Sequence, residues 1–375
     1  MTKHNPTNER IKRKYLIFEK EARQQSEATI DTIAKSISRF EEYTKRKDFK
    51  RFHFEQAIGF KNHLAKQLNK ATAKPLSKST QKTTLNQLLK FFQWLSQQTG
   101  YKSRVAYSDA EYFRLSAKDS RAATASQVKR IPSVELVKSV VSNMPTENDI
   151  QKRDQAVIAF TLLTGARDGA VASMKLKHVD LDNRCVYQDA REVQTKFSKS
   201  FTTYFFPLDP IFENVVREWV LHLRSTYGWE AKAPLFPATQ IGISETGGFN
   251  SVGLSKTHWT TTSPIRRIFK RAFEAAGQEY FNPHAFRATI VTLAETTCRT
   301  PEEFKAWSQN LGHEGVLTTF NSYGEVPISR QRELLKTPSN SAEPDLEGVE
   351  LAIETLKKIQ RNGRQRMSYS AHEKG

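Results

Sequence analysis

Four short segments carry side chains able to act on a phosphate. In LLTGARDGAVASMKLKHVDL, Arg167 is expected at the start of a helix, where a planar five-donor fork lies beside backbone amides that also favour anions. In NPHAFRATIVTLA, Asn282 can cap a helix and Pro283 suits its first position. His284 and Arg287, three residues apart, then share one face of the first turns and can address the same phosphate. In LGHEGVLTTFNSYGEV, Gly312 is expected to end a helix, His313 to lie in the tight turn, and Tyr323 to ride the next helical segment. A phenol with a pKa of about 10 needs neighbouring cations to act as a phenolate and a proton acceptor to form it. Arg167, Arg287 and the two histidines are such company. The fourth segment, VQTKFSKSFTTYFFPL, puts Lys196 and Lys199 in a polar turn between two β-rich runs. Singly, each segment has an ordinary explanation: a surface arginine, a capped helix that happens to carry His and Arg, a tyrosine packing its ring at a helix end.

The elements that must position these side chains follow from periodicity and punctuation. RDQAVIAFTLLTG reads as a buried helix stopped at Gly165. CVYQ and FTTYFFPL read as a hairpin, helices are expected near 210–226, 264–277, 284–297 and 301–311, and the Gly-, Ser- and Thr-rich stretch 240–262 reads as a long loop. Upstream, Ile30, Ile33, Ile37 and Phe40 mark one amphipathic helix, residues 54–68 a second, and Leu85, Leu88, Leu89, Phe92 and Leu95 a third that closes before Gly100. Residues 1–22 read as a basic tail, solvated or lying along a polyanion as a short arm. Residues 119–131 read as a linker, and 338–375 as a C-terminal tail with one possible helix at 346–361. The expected domains are thus a helical one over 23–118 and a larger one over 132–337.

Charge points to the partner. The chain of 375 residues has 58 Lys and Arg against 40 Asp and Glu, a net +18, which suggests a polyanion, nucleic acid before an anionic membrane. Residues 1–130 hold 28 of the basic and 12 of the acidic side chains, so the excess is concentrated there. Between 51 and 100 a single acid, Glu55, faces eight basic residues, and Lys74, Lys78, Lys82 and Lys90 line the face opposite the apolar stripe. Such a run is either a solvated face or a phosphate-binding one. No stretch reaches the roughly 18 apolar residues that span a bilayer, and the N-terminus lacks a signal peptide's apolar region. The expected location is the cytoplasm, associated with the nucleoid. Cys185 and Cys298 have no metal-ligand spacing and are both expected to be buried.

Taken together and in order, the four segments resemble the tyrosine recombinase (phage integrase) family: its first arginine box, its hairpin lysine, its His-x-x-Arg box and its Leu-Gly-His box followed by the tyrosine. The resemblance covers about 132–337 and extends to 23–118 only in size, helix pattern and charge. It implies a mainly α fold with a small β-sheet, built from an N-terminal helical core-binding (SAM-like) domain and an α-rich catalytic domain. It also implies that Tyr323 attacks a DNA phosphate to give a 3′-phosphotyrosyl link, with Arg167, Arg287 and His313 on the non-bridging oxygens and His284 assisting proton transfer. Lys196, with Lys199 as the fallback, would protonate the leaving 5′ oxygen. The family needs neither ATP nor metal, and no cofactor is expected; double-stranded DNA is the implied partner, with four protomers on two sites. The sequence departs from the pattern at three points. Ala170 stands where an acid usually follows the first arginine, with Asp168 as a possible substitute; Ala288 stands where a His often follows the second; and ten residues separate His313 from Tyr323, one more than is commonest. These departures keep open a DNA-binding regulator without strand cleavage, and the shared chemistry keeps open a type IB topoisomerase.

Overall fold

Caps written in the sequence open most helices of the computed structural model, which describes residues 4–69, 72–124, 130–195, 198–243 and 249–313. The chain divides into two units, residues 1–125 and 126–375. In the first, α1 (Pro6–Ile17) starts at Asn5, whose side chain accepts from the amides of Thr7 and Asn8, and runs on as a π-turn over Phe18–Ala22. It is followed by α2 (Glu27–Tyr43), capped by Ser26, α3 (Phe54–Lys66), α4 (Lys78–Leu95), capped by Ser77, and α5 (Ala117–Thr124). The expected stripes of α2 and α4 are buried, apart from the partly buried Ile30, and meet around phenylalanines: Phe40, Phe49, Phe52, Phe60, Phe92 and Phe113 pack ring on ring, Phe52 and Phe92 with centroids 3.8 Å apart. Aromatic side chains bury the most apolar area per residue, which lets so short a segment hold a core.

Two expectations change here. Residues 1–22 are not a tail from residue 6 onward: Ile11 and Tyr15, one helical turn apart, are buried, and Tyr15 packs against Phe91 and Trp94. Asn8, fully buried, donates to Glu41 and to the Lys47 carbonyl and accepts from the Phe49 amide, so α1 is bonded to α2 and to the turn after it. The expected linker begins as helix, with Asp119 of α5 paired to Lys78 at 3.3 Å and capped by Ser116.

The second unit is built on α7 (Asp149–Thr164), where every residue from Ala156 to Thr164 is buried. A helix apolar on all sides belongs at the centre, and α6 (Val134–Ser142), α9 (Pro210–Ser225), α10 (Ser263–Ala275) and α11 (Pro283–Thr297) pack around it. The short α8 (Asp168–Ser173) and α12 (Pro301–Asn310) complete the described helices. Strands β1 (Val179–Asp180), β2 (Cys185–Gln188) and β3 (Phe201–Tyr204) form an antiparallel sheet in that order, so the expected hairpin pairs Cys185 with Tyr204 and Gln188 with Phe201. The stretch expected as a loop contains a second hairpin, β4 (Ala238–Ile243) and β5 (Phe249–Ser255), with a bulge at Gln240/Ile241. Glycines at 242 and 253 and exposed Ile241 and Val252 erase the inside–outside alternation that announces a half-buried strand. Of the cysteines, Cys185 is buried as expected, but Cys298 is part-exposed at the end of α11. Among the described residues no His, Cys, Asp or Glu cluster can hold a metal, and no helix is long and apolar enough to cross a membrane.

Candidate active site

The site is assembled where α7 ends. Gly165 closes α7 in the left-handed conformation, φ 59°, and a Cβ there would lie 2.6 Å from the Leu311 side chain. The turn delivers Arg167 to the N-cap position of α8 with extended backbone, φ −73° and ψ 150°. On α11, Asn282 accepts from the Ala285 amide at 3.1 Å, and Pro283 occupies the first turn, as the sequence indicates. His284, exposed at this helix start, and Arg167 line one cavity of about 390 Å³ together with Asp168, Arg266, Asn282 and Pro283.

Arg287, one turn further along α11, points inward. It is 2% exposed; its guanidinium donates to the Gly165 carbonyl, to the Leu311 carbonyl at 2.8 Å and to His313 Nε2 at 2.9 Å. An arginine has no acceptor atom, so His313 Nε2 must accept, which places the imidazole proton on Nδ1. Arg287 Nε is buried with no hydrogen-bond partner among the described residues. A buried donor left unsatisfied costs about 1–3 kcal/mol, and an incoming acceptor recovers it. The structure thus joins Arg287 to His313 directly and gathers Arg167 with His284 on a shared cavity, the two groups linked through Gly165. Lys196 and Tyr323 lie outside the described residues; Lys199 is described and exposed.

Ala170 is 1% exposed in the core, so the position expected to carry an acid is occupied by packing. Asp168 accepts from Arg266 Nε and Nη2 at 3.1 and 2.8 Å. Arg266 thereby adds a cation at the rim that sequence reading missed; its only signal was an exposed position in the basic, amphipathic run SPIRRIFKRAF.

The hairpin that carries the candidate lysines is fastened on both sides. Before it, Ser173 Oγ accepts from the Gln194 amide at 2.8 Å, tying the loop to α8. Glu192 is held by Lys177 at 2.8 Å, His178 at 3.1 Å and Lys175 at 3.4 Å. Lys177 above all, with His178 and Lys175, holds the Glu192 carboxyl down at about 2 against the opposing effect of burial. His178 Nδ1 accepts from the Lys175 amide at 3.0 Å, so its Nε2–H faces Glu192; burial pushes the ring's pKa below its ordinary 6.5, although Glu192 pulls the other way. After the hairpin, Gly312, φ 70°, lies against the ring of Phe201.

A family model described as "Phage integrase family" matches residues 133–327. By sequence alone no curated protein matches the chain. Among solved structures, a λ integrase(75–356) dimer bound to a COC′ core site is 12% identical with a TM-score of 0.57, over 85% of this chain and 96% of that one. XerH site-specific recombinase bound to palindromic difH substrate, in a post-cleavage complex, is 17% identical with a TM-score of 0.56, over 84% and 81%. The Tn1549 transposon integrase in complex with transposon right-end DNA is 14% identical with a TM-score of 0.50, over 87% and 98%.

Proposed function

Because the chain belongs to the phage integrase family of tyrosine recombinases, we propose that it cuts and rejoins double-stranded DNA at specific sites through a 3′-phosphotyrosyl intermediate. Tyr323 is the nucleophile: its oxygen forms a bond to the scissile phosphorus while the bond to the 5′ oxygen breaks, leaving a 5′ hydroxyl. Arg167, Arg287 and His313 stabilise the charge on the non-bridging oxygens. Preorganised donors of this kind are each worth about 10²–10³ in rate. His284 assists removal of the phenol proton, and Lys196, or Lys199 in its place, gives a proton to the leaving oxygen. The phosphotyrosine keeps the bond energy, so resealing is the reverse reaction and needs no nucleotide.

The observation that carries this reading is the buried Arg287, whose Nε–H has no partner among the described residues and whose guanidinium is bonded to His313 and to the carbonyl of Gly165, two residues before Arg167. It is a buried cationic pair whose donor is unused among the described residues, built by segments far apart in sequence. The neighbours of similar fold described as bound to DNA support DNA as the substrate. Exchange of strands between two duplexes asks for four protomers on two sites. The lysines at 74, 78, 82 and 90 supply phosphate contacts that add affinity without reading sequence.

The test is trapping on nicked suicide substrates taken from the flanks of the protein's own gene, with Tyr323→Phe alongside. A protein–DNA adduct on a denaturing gel that disappears in the variant is expected. Tight, salt-sensitive binding without any adduct would overturn cleavage in favour of a regulator, and site-independent relaxation by a monomer would favour a topoisomerase.

A further inference from the structure

Among the described residues no further strand covers the outer edge of β3, which ends the three-stranded sheet. Asn310, the last residue of α12, fills that place. Its side-chain carbonyl accepts from the Tyr204 amide at 2.7 Å and its side-chain amide donates to the Tyr204 carbonyl at 2.8 Å. A carboxamide has the same donor and acceptor as a peptide group, so one side chain imitates one residue of a neighbouring strand. The backbone of the same residue is bonded as well: Thr203 Oγ1 donates to the Asn310 carbonyl at 3.0 Å and in turn accepts from Gln188 Nε2 at 2.9 Å. Gln188 and Thr203 are buried, so this chain of bonds is costly to break.

Asn310 precedes His313 by three residues, and the strand it grips is the return arm of the hairpin that holds the candidate lysines. We propose that Asn310 is a positioning residue that sets the lysine hairpin at a fixed place relative to the Arg287–His313 pair, so that proton delivery to the leaving oxygen and charge stabilisation on the phosphate act on the same atom group. The proposal rests on the strand-cleavage reading above. Asn310 touches no reacting atom; it acts through β3.

The experiment compares wild type, Asn310→Ala and Asn310→Asp on two suicide substrates, one with the ordinary phosphodiester and one in which sulfur replaces the bridging 5′ oxygen. In both, Tyr323 oxygen bonds to phosphorus as the bridging bond breaks; a thiolate leaves without the proton that an alkoxide requires. General-acid catalysis contributes about 10²–10⁴ in rate, so a displaced hairpin is expected to slow Asn310→Ala at least about tenfold on the oxygen substrate. On the sulfur substrate the deficit should largely vanish. Asn310→Asp, which keeps the acceptor and loses the donor, should fall between. An equal deficit on both substrates, or none on either, overturns the proposal. Hydrogen exchange gives a reading independent of activity: the Tyr204 amide should lose protection in Asn310→Ala while the α7 amides keep theirs. If the wild type cleaves neither substrate, the strand-cleavage reading falls, and unchanged Tyr204 protection would then overturn the clamp as well.

Discussion

Arg287 illustrates how much of a site one side chain can organise. The His-x-x-Arg spacing singles it out in the sequence, but spacing suggests a surface pair with His284, and the structure buries it instead, with its fork on two carbonyls and a histidine. Burial depends on which chains arrive from elsewhere, here the turn at Gly165 and the end of α12, and no local pattern carries that information. The same holds for His178, which sequence reading passed over and which is 4% exposed between Lys175 and Glu192. Because burial lowers its pKa below 6.5, the folded protein disfavours the protonated ring. Its contribution to stability is therefore complete above 6.5 and is lost as pH falls through the lower folded value. An NMR titration of the His178 ring should give a midpoint below 6.5, with Tm declining as pH is lowered from 6.5 to that midpoint. A midpoint at or above 6.5 would mean that the Glu192 pairing outweighs burial.

At the scale of elements, the turn after α12 is constrained twice. Gly312 has φ 70°, and a Cβ would approach the Phe201 ring to 2.5 Å. Gly312→Ala should cost about 1–2 kcal/mol for the left-handed backbone, and about 1–3 kcal/mol more for the displaced ring. Denaturant unfolding would show a lower midpoint with unchanged slope, and DNA cleavage should fall along with it, because the displaced ring belongs to β3. A variant as stable and active as the wild type would contradict this account. Elements with a strong period and a clear stop were legible: α2, α4, α7 and α11 stand where the pattern puts them, α7 with its stop at Gly165 and α11 with its Asn282 cap. Others were hidden for physical reasons. The α1 stripe comprises Ile11 and Tyr15 amid a run of charge, so the cluster of Arg10, Lys12, Arg13 and Lys14 outweighed two apolar positions that in fact reach the core. The β4–β5 hairpin exposes Ile241 and Val252 and carries glycines, so its backbone pairing, not side-chain alternation, defines it. The Asn310 grip on Tyr204 joins residues 106 apart, beyond the reach of any local reading.

Over the whole molecule, positive charge is distributed unevenly, with 28 basic and 12 acidic residues in the first 130. If the α4 face and the turn before it, which carries Lys74, contact DNA, log K should fall linearly with log salt, and each lysine removed from a phosphate should reduce the slope by about 0.9. Lys74 and Lys90 are the cleaner test, since Lys78 pairs with Asp119 and Lys82 reaches the Ser120 carbonyl. Lys74→Ala with Lys90→Ala should flatten the salt dependence of binding; an unchanged slope would return this face to solvent. The linkage through Arg287 has a consequence of another kind. Its guanidinium bridges Gly165, 122 residues earlier, and Leu311, 24 residues later. A ribosome delivers those three in order, and the last arrives when all of the described chain but Gly312 and His313 has already been made. A nascent chain that carries Arg167, His284 and Arg287 still has an arginine without its final anchors. The joining of Arg287 to His313 is thus withheld until synthesis has passed His313, a delay that comes from connectivity alone.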